Sequence, residues 1–219
     1  IVNLHNLARD LGYDISFSDG ALPGIDIPKE EIEQYVRSLL NPQLEERQYQ
    51  FDTIAHAIND QIALLLSPTS SGKSFIFYAI LRYLIEHDYV SKVLIVVPQT
   101  HLVDQLANDF ADYSEHLEWN AEEHVHKIYA GKDKDTDKQI VISTWQSIHR
   151  KSKKWFAQFD GWICDEAHLA TGTSLQKVSE KLVNAKYRIG ATGSLNGEKV
   201  HEFVLIGSFG PVYNIVDTR

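Results

Sequence analysis

Residues 62–74 read Ile-Ala-Leu-Leu-Leu-Ser-Pro-Thr-Ser-Ser-Gly-Lys-Ser, and the fold is decided here. The first five residues are apolar on both faces, as in a buried parallel strand. The next eight, Ser67-Pro68-Thr69-Ser70-Ser71-Gly72-Lys73-Ser74, are mostly small and polar, and a helical pattern begins near Lys73. A strand, a tight loop and a helix N-terminus make a phosphate cradle, because backbone N–H groups turn inward and the positive end of the helix dipole faces the anion. Gly72 permits close backbone approach, Lys73 can reach the β- and γ-phosphates of ATP, and the Ser74 hydroxyl suits Mg²⁺. Position one, usually glycine, is Ser67, and an ordinary strand–helix turn is the competing reading.

Outward from this stretch the chain alternates. Short apolar runs recur at Val93–Val97, 140–142, 162–164 and 187–191. Helical patterns separate several of them: residues 75–85, then Leu102, Leu106 and Phe110, then Leu175, Val178 and Leu182. Upstream, Phe51, Ile54, Ala55 and Ile58 share a helical face. Strand–helix alternation predicts an α/β fold, a parallel sheet with helices on both faces. The runs 203–206 and 209–215 are expected to form the last strand and the entry to a linker.

Residues 1–43 have a different texture. Leu4, Leu7, Ala8 and Leu11 repeat at helical spacing, with Gly12 as a stop, and Ile15 and Phe17 alternate like a short strand. Ile32, Tyr35, Val36 and Leu39 share a second helical face before the break at Asn41-Pro42. The piece is too short for a core of its own. It is expected to be the C-terminal remnant of an accessory α+β domain, with the main domain over 44–219.

Of 219 residues, one is cysteine and none is methionine, so the chain reads as a fragment. The lone Cys164 excludes an internal disulfide, no apolar run approaches a membrane span, and a cytoplasmic monomer is expected. A net charge of −9 argues against coating nucleic acid by bulk electrostatics. Local charge differs: residues 127–154 carry eight Lys/Arg against three Asp, ending in Arg150, Lys151, Lys153 and Lys154. A solvated face is the plainer explanation of that run. His124-X-His126 lacks a matching ligand pair and does not read as a metal site.

Asp165-Glu166-Ala167-His168 follows the apolar run 162–164 directly. In an open parallel sheet ligands bind at the carboxyl ends of strands, where these side chains emerge. There Asp165 can hold Mg²⁺ through water, Glu166 can polarise an attacking water, and His168 can sense the γ-phosphate. Two acids and a histidine after a strand are often only a solvated loop; the phosphate loop upstream gives them a role. Gly190-Ala191-Thr192-Gly193-Ser194 also follows an apolar run, and the hydroxyls of Thr192 and Ser194 can bond to the acidic segment and couple the two.

These segments, in this order, resemble the motor motifs of superfamily-two helicases and translocases. Arg47-Gln48-Tyr49-Gln50 resembles the adenine-reading glutamine motif, with Gln50 the implied base contact. Residues 68–74 resemble motif I and 97–105 motif Ia, while Ser143-Thr144-Trp145-Gln146-Ser147 resembles a further DNA-contacting element. Residues 165–168 match motif II, and 190–194 resemble motif III with Ala-Thr-Gly in place of Ser-Ala-Thr. Within the superfamily, Thr144-Trp145-Gln146, Trp155-Phe156-Ala157-Gln158-Phe159 and His168-Leu169-Ala170-Thr171-Gly172 are similar to the UvsW-type helicases of T-even bacteriophages. The resemblance covers residues 44–219 well and 1–43 loosely.

It implies a RecA-like P-loop NTPase domain that binds ATP and Mg²⁺. It also implies an ATP-driven motor that remodels branched DNA or RNA–DNA hybrids in recombination and fork rescue. Pro98, Gln99, Thr100, His101, Thr144, Gln146 and Ser147, with Lys151 nearby, become the implied nucleic-acid contacts. Trp145 stays open between core and base contact. A second RecA-like domain, which completes the site in such motors, is expected in cis. A nucleotide-gated binding module without turnover is the alternative; a small-molecule kinase lacks a use for motif Ia and the Thr-Trp-Gln element.

Overall fold

The computed structural model describes residues 25–41, 45–68, 71–129, 135–195 and 199–215, with 199 and 200 described by backbone alone. The helix and strand expected before residue 18 lie outside these residues, as do Thr69 and Ser70 of the phosphate loop. The described chain runs α1 (Lys29–Leu39), α2 (Gln48–Asp60), β1 (Ile62–Leu66), α3 (Lys73–Glu86), β2 (Val93–Val97), α4 (Thr100–Ser114) and α5 (Ala121–His124). It continues with β3 (Val125–Ile128), β4 (Ile140–Thr144), α6 (Trp145–Ile148), α7 (Lys153–Phe156), β5 (Gly161–Cys164) and a 3-10 turn (Ala167–Leu169). The last elements are α8 (Gly172–Lys181), β6 (Tyr187–Thr192), α9 (Lys199–Phe209) and β7 (Val212–Asn214). Among the described residues no helix is long and apolar enough to cross a membrane.

The strands form one seven-stranded sheet in the order β3-β4-β2-β5-β6-β1-β7, every pair parallel. Successive side chains of a strand point to opposite faces, and both faces are buried here. Ala63, Leu65, Ile95, Ile142 and Ile163 join the core under α1 to α4; Leu64, Leu94, Val96, Val141 and Trp162 join the core under α6 to α9. Because both faces need cover, the strands are continuous apolar runs, which is why they were readable. The α1 face of Ile32, Val36 and Leu39 is fully buried in the same core as α2 and α3.

The structure corrects the ends of the sheet. The run 203–206 is helical and belongs to α9, and the final strand is the shorter Val212–Asn214. Leu205 and Phe209, one turn apart, face the core, where the Phe209 ring meets Trp162 at 4.5 Å, whereas Phe203 is 71% exposed. An apolar residue on the outer face of α9 hides its helical period. At the other edge, β3 carries buried Val125 and Ile128 around half-buried His126 and Lys127. Lys138 covers part of this edge by donating Nζ to the Val125 carbonyl at 3.2 Å, a common protection of an open edge.

Gly190 in β6 is required by packing: a Cβ there would fall 2.7 Å from the Phe209 ring and 3.1 Å from Leu64. Gly190→Ala should therefore destabilise the fold by roughly 1–3 kcal/mol through overpacking, read as a lower urea midpoint with an unchanged m-value. An unchanged midpoint would show that α9 can shift freely over β6.

Candidate nucleotide site

Strand register assembles the site. Leu66 of β1 aligns with Thr192 of β6, and Cys164 of β5 aligns with Gly190 of β6 and Val96 of β2. The segments leaving these carboxyl ends, 67–74, 165–168 and 193–194, therefore emerge side by side. Backbone bonds tie them: Ser67 N donates to Thr192 O at 2.8 Å, and Asp165 N donates to Val96 O at 2.9 Å.

Gly72 precedes α3 with φ 76°, a left-handed conformation that glycine adopts without strain. A Cβ here would also displace the Gln50 amide, so a side chain at this position would be strained and would disturb the cradle. Ser67, which stands where glycine is usual, is fully buried, and its hydroxyl is hydrogen-bonded to that of Ser71. The side chain missing from the usual pattern thus serves as an internal brace of the loop. Pro68 is half-buried beside it.

Gln50 is 7% exposed, and its Nε2 donates to the Ser71 carbonyl at 3.1 Å. Tyr49 Oη donates to the same carbonyl at 3.2 Å, and exposed Arg47 donates Nη1 to Tyr49 Oη at 3.1 Å. The Arg47–Gln50 segment therefore grips the phosphate loop in this structure. Tyr49 was not singled out in the sequence, although it stands between two residues that were.

Lys73, first residue of α3, hydrogen-bonds Glu166 and lies 3.8 Å from Asp165 Oδ1. Glu166 has φ 46° and ψ 47°, an uncommon conformation for a residue with a side chain and one that gathers at functional sites. Its backbone N–H donates to Asp165 Oδ1 at 2.9 Å. Burial raises the Asp165 pKa despite the opposing pull of Lys73, and adjacent Glu166 adds repulsion. Thr192 Oγ1 is 2.8 Å from His168 Nδ1 and donates to Ser194 O at 2.8 Å; His168 Nδ1 is 3.4 Å from Glu166 Oε2. Thr192 thus touches the acidic segment through its hydroxyl, and Ser194 joins through its carbonyl.

A cavity of ≈ 260 Å³ opens between the start of α3 and α4, lined by Gly72, Lys73, Ser74, Gln105, Asp109 and Asp165 among others. A donor set of one serine hydroxyl and two carboxylates suits Mg²⁺, which keeps waters and phosphate oxygens in place of a full protein cage. An αL glycine at the N-terminus of a helix suits the phosphates. Asp109 and Tyr113 of α4 also reach Ser74, and burial raises the pKa of both. Neither was singled out in the sequence; their i, i+4 spacing is a signal only once Ser74 is placed beside them.

The implied nucleic-acid residues start from neighbouring strand ends, since Val97 of β2 aligns with Thr144 of β4. Gln99, Thr100 and His101 are exposed at the start of α4, Pro98 is half-buried, and Gln146 is exposed on α6. Thr144 is 3% exposed, with its hydroxyl 3.0 Å from that of half-buried Ser147. Trp145 is 8% exposed and meets Trp162 edge-on at 6.4 Å, so its ring is core. Lys151 lies 3.7 Å from Asp135, with its ammonium 5.4 Å from the Trp155 ring centre. The basic run is clamped to α8, because Lys181 Nζ donates to the His149 and Lys151 carbonyls at 3.0 and 2.9 Å. Helix α4 packs on one sheet face while Ile148, Trp155 and Phe156 pack on the other.

The family described as "Type III restriction enzyme, res subunit" matches residues 43–196. The chain belongs to this family. It is of the superfamily-two, UvsW-like type, with 36% identity over 182 residues to the ATP-dependent DNA helicase UvsW of Enterobacteria phage T4. That match covers 81% of this chain and 35% of the relative, so the chain spans about a third of the curated protein it matches. A crystal structure of the phage T4 UvsW helicase superposes with a TM-score of 0.83 at 30% identity, covering 97% of this chain and 76% of that one. The Sulfolobus solfataricus SWI2/SNF2 ATPase core in complex with dsDNA shares the RecA-like fold at a TM-score of 0.63 and 18% identity, over 79% of this chain and 38% of that one.

Asp165 generates a test. Its raised pKa makes the buried charge a cost to the ligand-free fold. That cost is present above the folded pKa and vanishes as pH falls toward the unfolded value of about 3.9. Asp165→Asn should accordingly be as stable as the parent or more so at neutral pH, with the two melting curves converging as pH falls through the carboxylate range. A variant less stable at neutral pH would mean that the Lys73 attraction outweighs burial.

Proposed function

We propose that the chain is the nucleotide-binding half of an ATP-driven DNA motor in the UvsW-like branch of its family. Residues 44–219 form its first RecA-like domain, and 1–43 are the end of an accessory domain, of which α1 packs in the shared core. A second RecA-like domain in cis closes the cleft, and branched DNA or RNA–DNA hybrids are the substrates. The observation that carries the reading is Lys73 held between Asp165 and Glu166 at the joined carboxyl ends of β1 and β5.

Bound ATP with Mg²⁺ supplies the transferable γ-phosphoryl group and the metal charge that draws electrons from it. Lys73 is the residue that exchanges partners. While its ammonium bonds Glu166, that carboxylate is engaged and cannot take a proton from water. Phosphate oxygens in the cradle draw Lys73 away and leave Glu166 free as the base. Ser74 and Asp165 would hold the metal, and Gln50 and Tyr49 hold the Ser71 carbonyl so that the loop keeps its shape. His168, bonded to Thr192, carries the state of the acidic segment to the strand beyond it. Nucleic acid runs past Gln99, Thr100, His101 and Gln146, where polar side chains and backbone N–H groups grip phosphates without reading sequence.

In the intact protein, Glu166→Gln should leave ATP affinity nearly unchanged and lower kcat by about 10²–10⁴-fold, the range of a general base. Lys73→Ala should weaken nucleotide binding itself. Binding of a fluorescent ATP analogue and steady-state hydrolysis with and without DNA measure both. Equal losses of affinity in the two variants would contradict these roles.

A further inference from the structure

We propose that Tyr113 and Asp109 position the Ser74 hydroxyl as a metal ligand, and so set how strongly a divalent cation adds to nucleotide affinity. The proposal rests on the nucleotide-site reading above. It concerns two residues of α4 that lie outside the segments carrying the resemblance.

Ser74 Oγ lies 2.8 Å from Tyr113 Oη. Asp109 stands one turn earlier on the same helix, and the Ser74 hydroxyl beside it lowers its carboxyl pKa against the larger rise from burial. Asp109 also lines the cavity together with Ser74 and Asp165. The Tyr113 ring is fixed by α3, which also carries Ser74: Phe75 meets it edge-on at 5.4 Å, and Tyr78 packs at 5.5 Å. The phenol oxygen is thus delivered to Ser74 by a rigid aromatic wedge.

A serine hydroxyl has one proton and two lone pairs. With one of these three positions engaged by Tyr113 and the Asp109 carboxylate nearby to attract the proton, a lone pair is left for the cavity that Ser74 lines. That arrangement removes the rotational freedom of a ligand with one short side-chain torsion. Partners of this kind orient the groups that hold a metal, and their loss costs about 10–100-fold in metal affinity at sites built wholly from protein. Here, with only one ligand affected, the effect should be nearer that of a single hydrogen bond. Tyr113 is not among the residues that line the cavity and acts only through Ser74, as a positioning residue; Asp109 lines the cavity beside Ser74.

The test uses the 219-residue chain and a fluorescent ADP analogue, titrated in Mg²⁺ and in EDTA. Tyr113→Phe keeps the ring packing and removes only the hydroxyl. It should weaken affinity in Mg²⁺ by about fivefold, the size of one hydrogen bond, and leave affinity in EDTA and the melting temperature unchanged. Asp109→Ala, which removes the acceptor beside Ser74, should shift Mg²⁺-dependent affinity in the same direction. In a Ser74→Ala background, Tyr113→Phe should have no further effect. An equal loss in Mg²⁺ and EDTA, a gain, no change, or an effect that persists without Ser74 would overturn the proposal. A parent chain that binds ADP in neither buffer overturns the nucleotide-site reading as well, and the proposal with it.

Discussion

The Lys73 ammonium against Glu166 and Asp165 is the contact around which the molecule is organised. Lys73 begins α3 after the phosphate loop, while the two acids leave β5, with β6 between their strands. The pair can meet only because the parallel strands end in register and their loops rise from the same edge. Half-buried opposite charges attract strongly across low dielectric but need that proximity to offset desolvation. Asp165 registers the tension in its raised pKa. Without the lysine, two adjacent carboxylates would face each other over a cavity; without the acids, the cradle would hold an unpaired cation. A ligand that brings its own negative charge to the loop relieves one half of this arrangement and frees the other.

The surrounding fold makes the contact rigid. The sheet is buried on both faces, with α1 to α4 on one and α6 to α9 on the other, so no strand can slide without uncovering apolar surface. Close fits pin the central strands further: Gly190 against Phe209, and Gly161 beneath Val93. The left-handed Glu166 backbone is held in this frame by the Asp165 carboxylate on its N–H and by the turn that follows. A strained residue persists where its surroundings determine it, and here the strain aims the carboxylate at Lys73.

The central strands and the helices between them were legible because burial on both faces forces unbroken apolar runs and clean helical faces. The edges were less legible. In β3, Val125-His126-Lys127-Ile128 has only two buried residues and no hydrophobic run to announce it. Residues 203–206 suggested a strand because exposed Phe203 fills the polar side of α9, and periodicity cannot separate a short apolar helix from a strand. In the site, Gly72, Lys73, Asp165 and Glu166 could be named from motif and spacing, since phosphate and water chemistry demand those types there. Tyr49, Asp109 and Tyr113 could not. Their contribution depends on which helix lies against the loop, and that is a property of packing. Thr144 shows the converse, a motif residue whose side chain turns into the protein and bonds Ser147. Ser67 shows how a departure from pattern becomes sensible once its partner Ser71 is seen.

The exchange of Lys73 from Glu166 to the arriving nucleotide is the central step of the proposed cycle. A crystal structure of the chain with Mg²⁺ and a non-hydrolysable ATP analogue tests it most directly. Lys73 Nζ is expected on phosphate oxygens, with Ser74 and Asp165 facing the metal and the Glu166 carboxylate released toward the γ-phosphate. Nucleotide bound elsewhere, or bound in the loop with Lys73 still paired to Glu166, would contradict it.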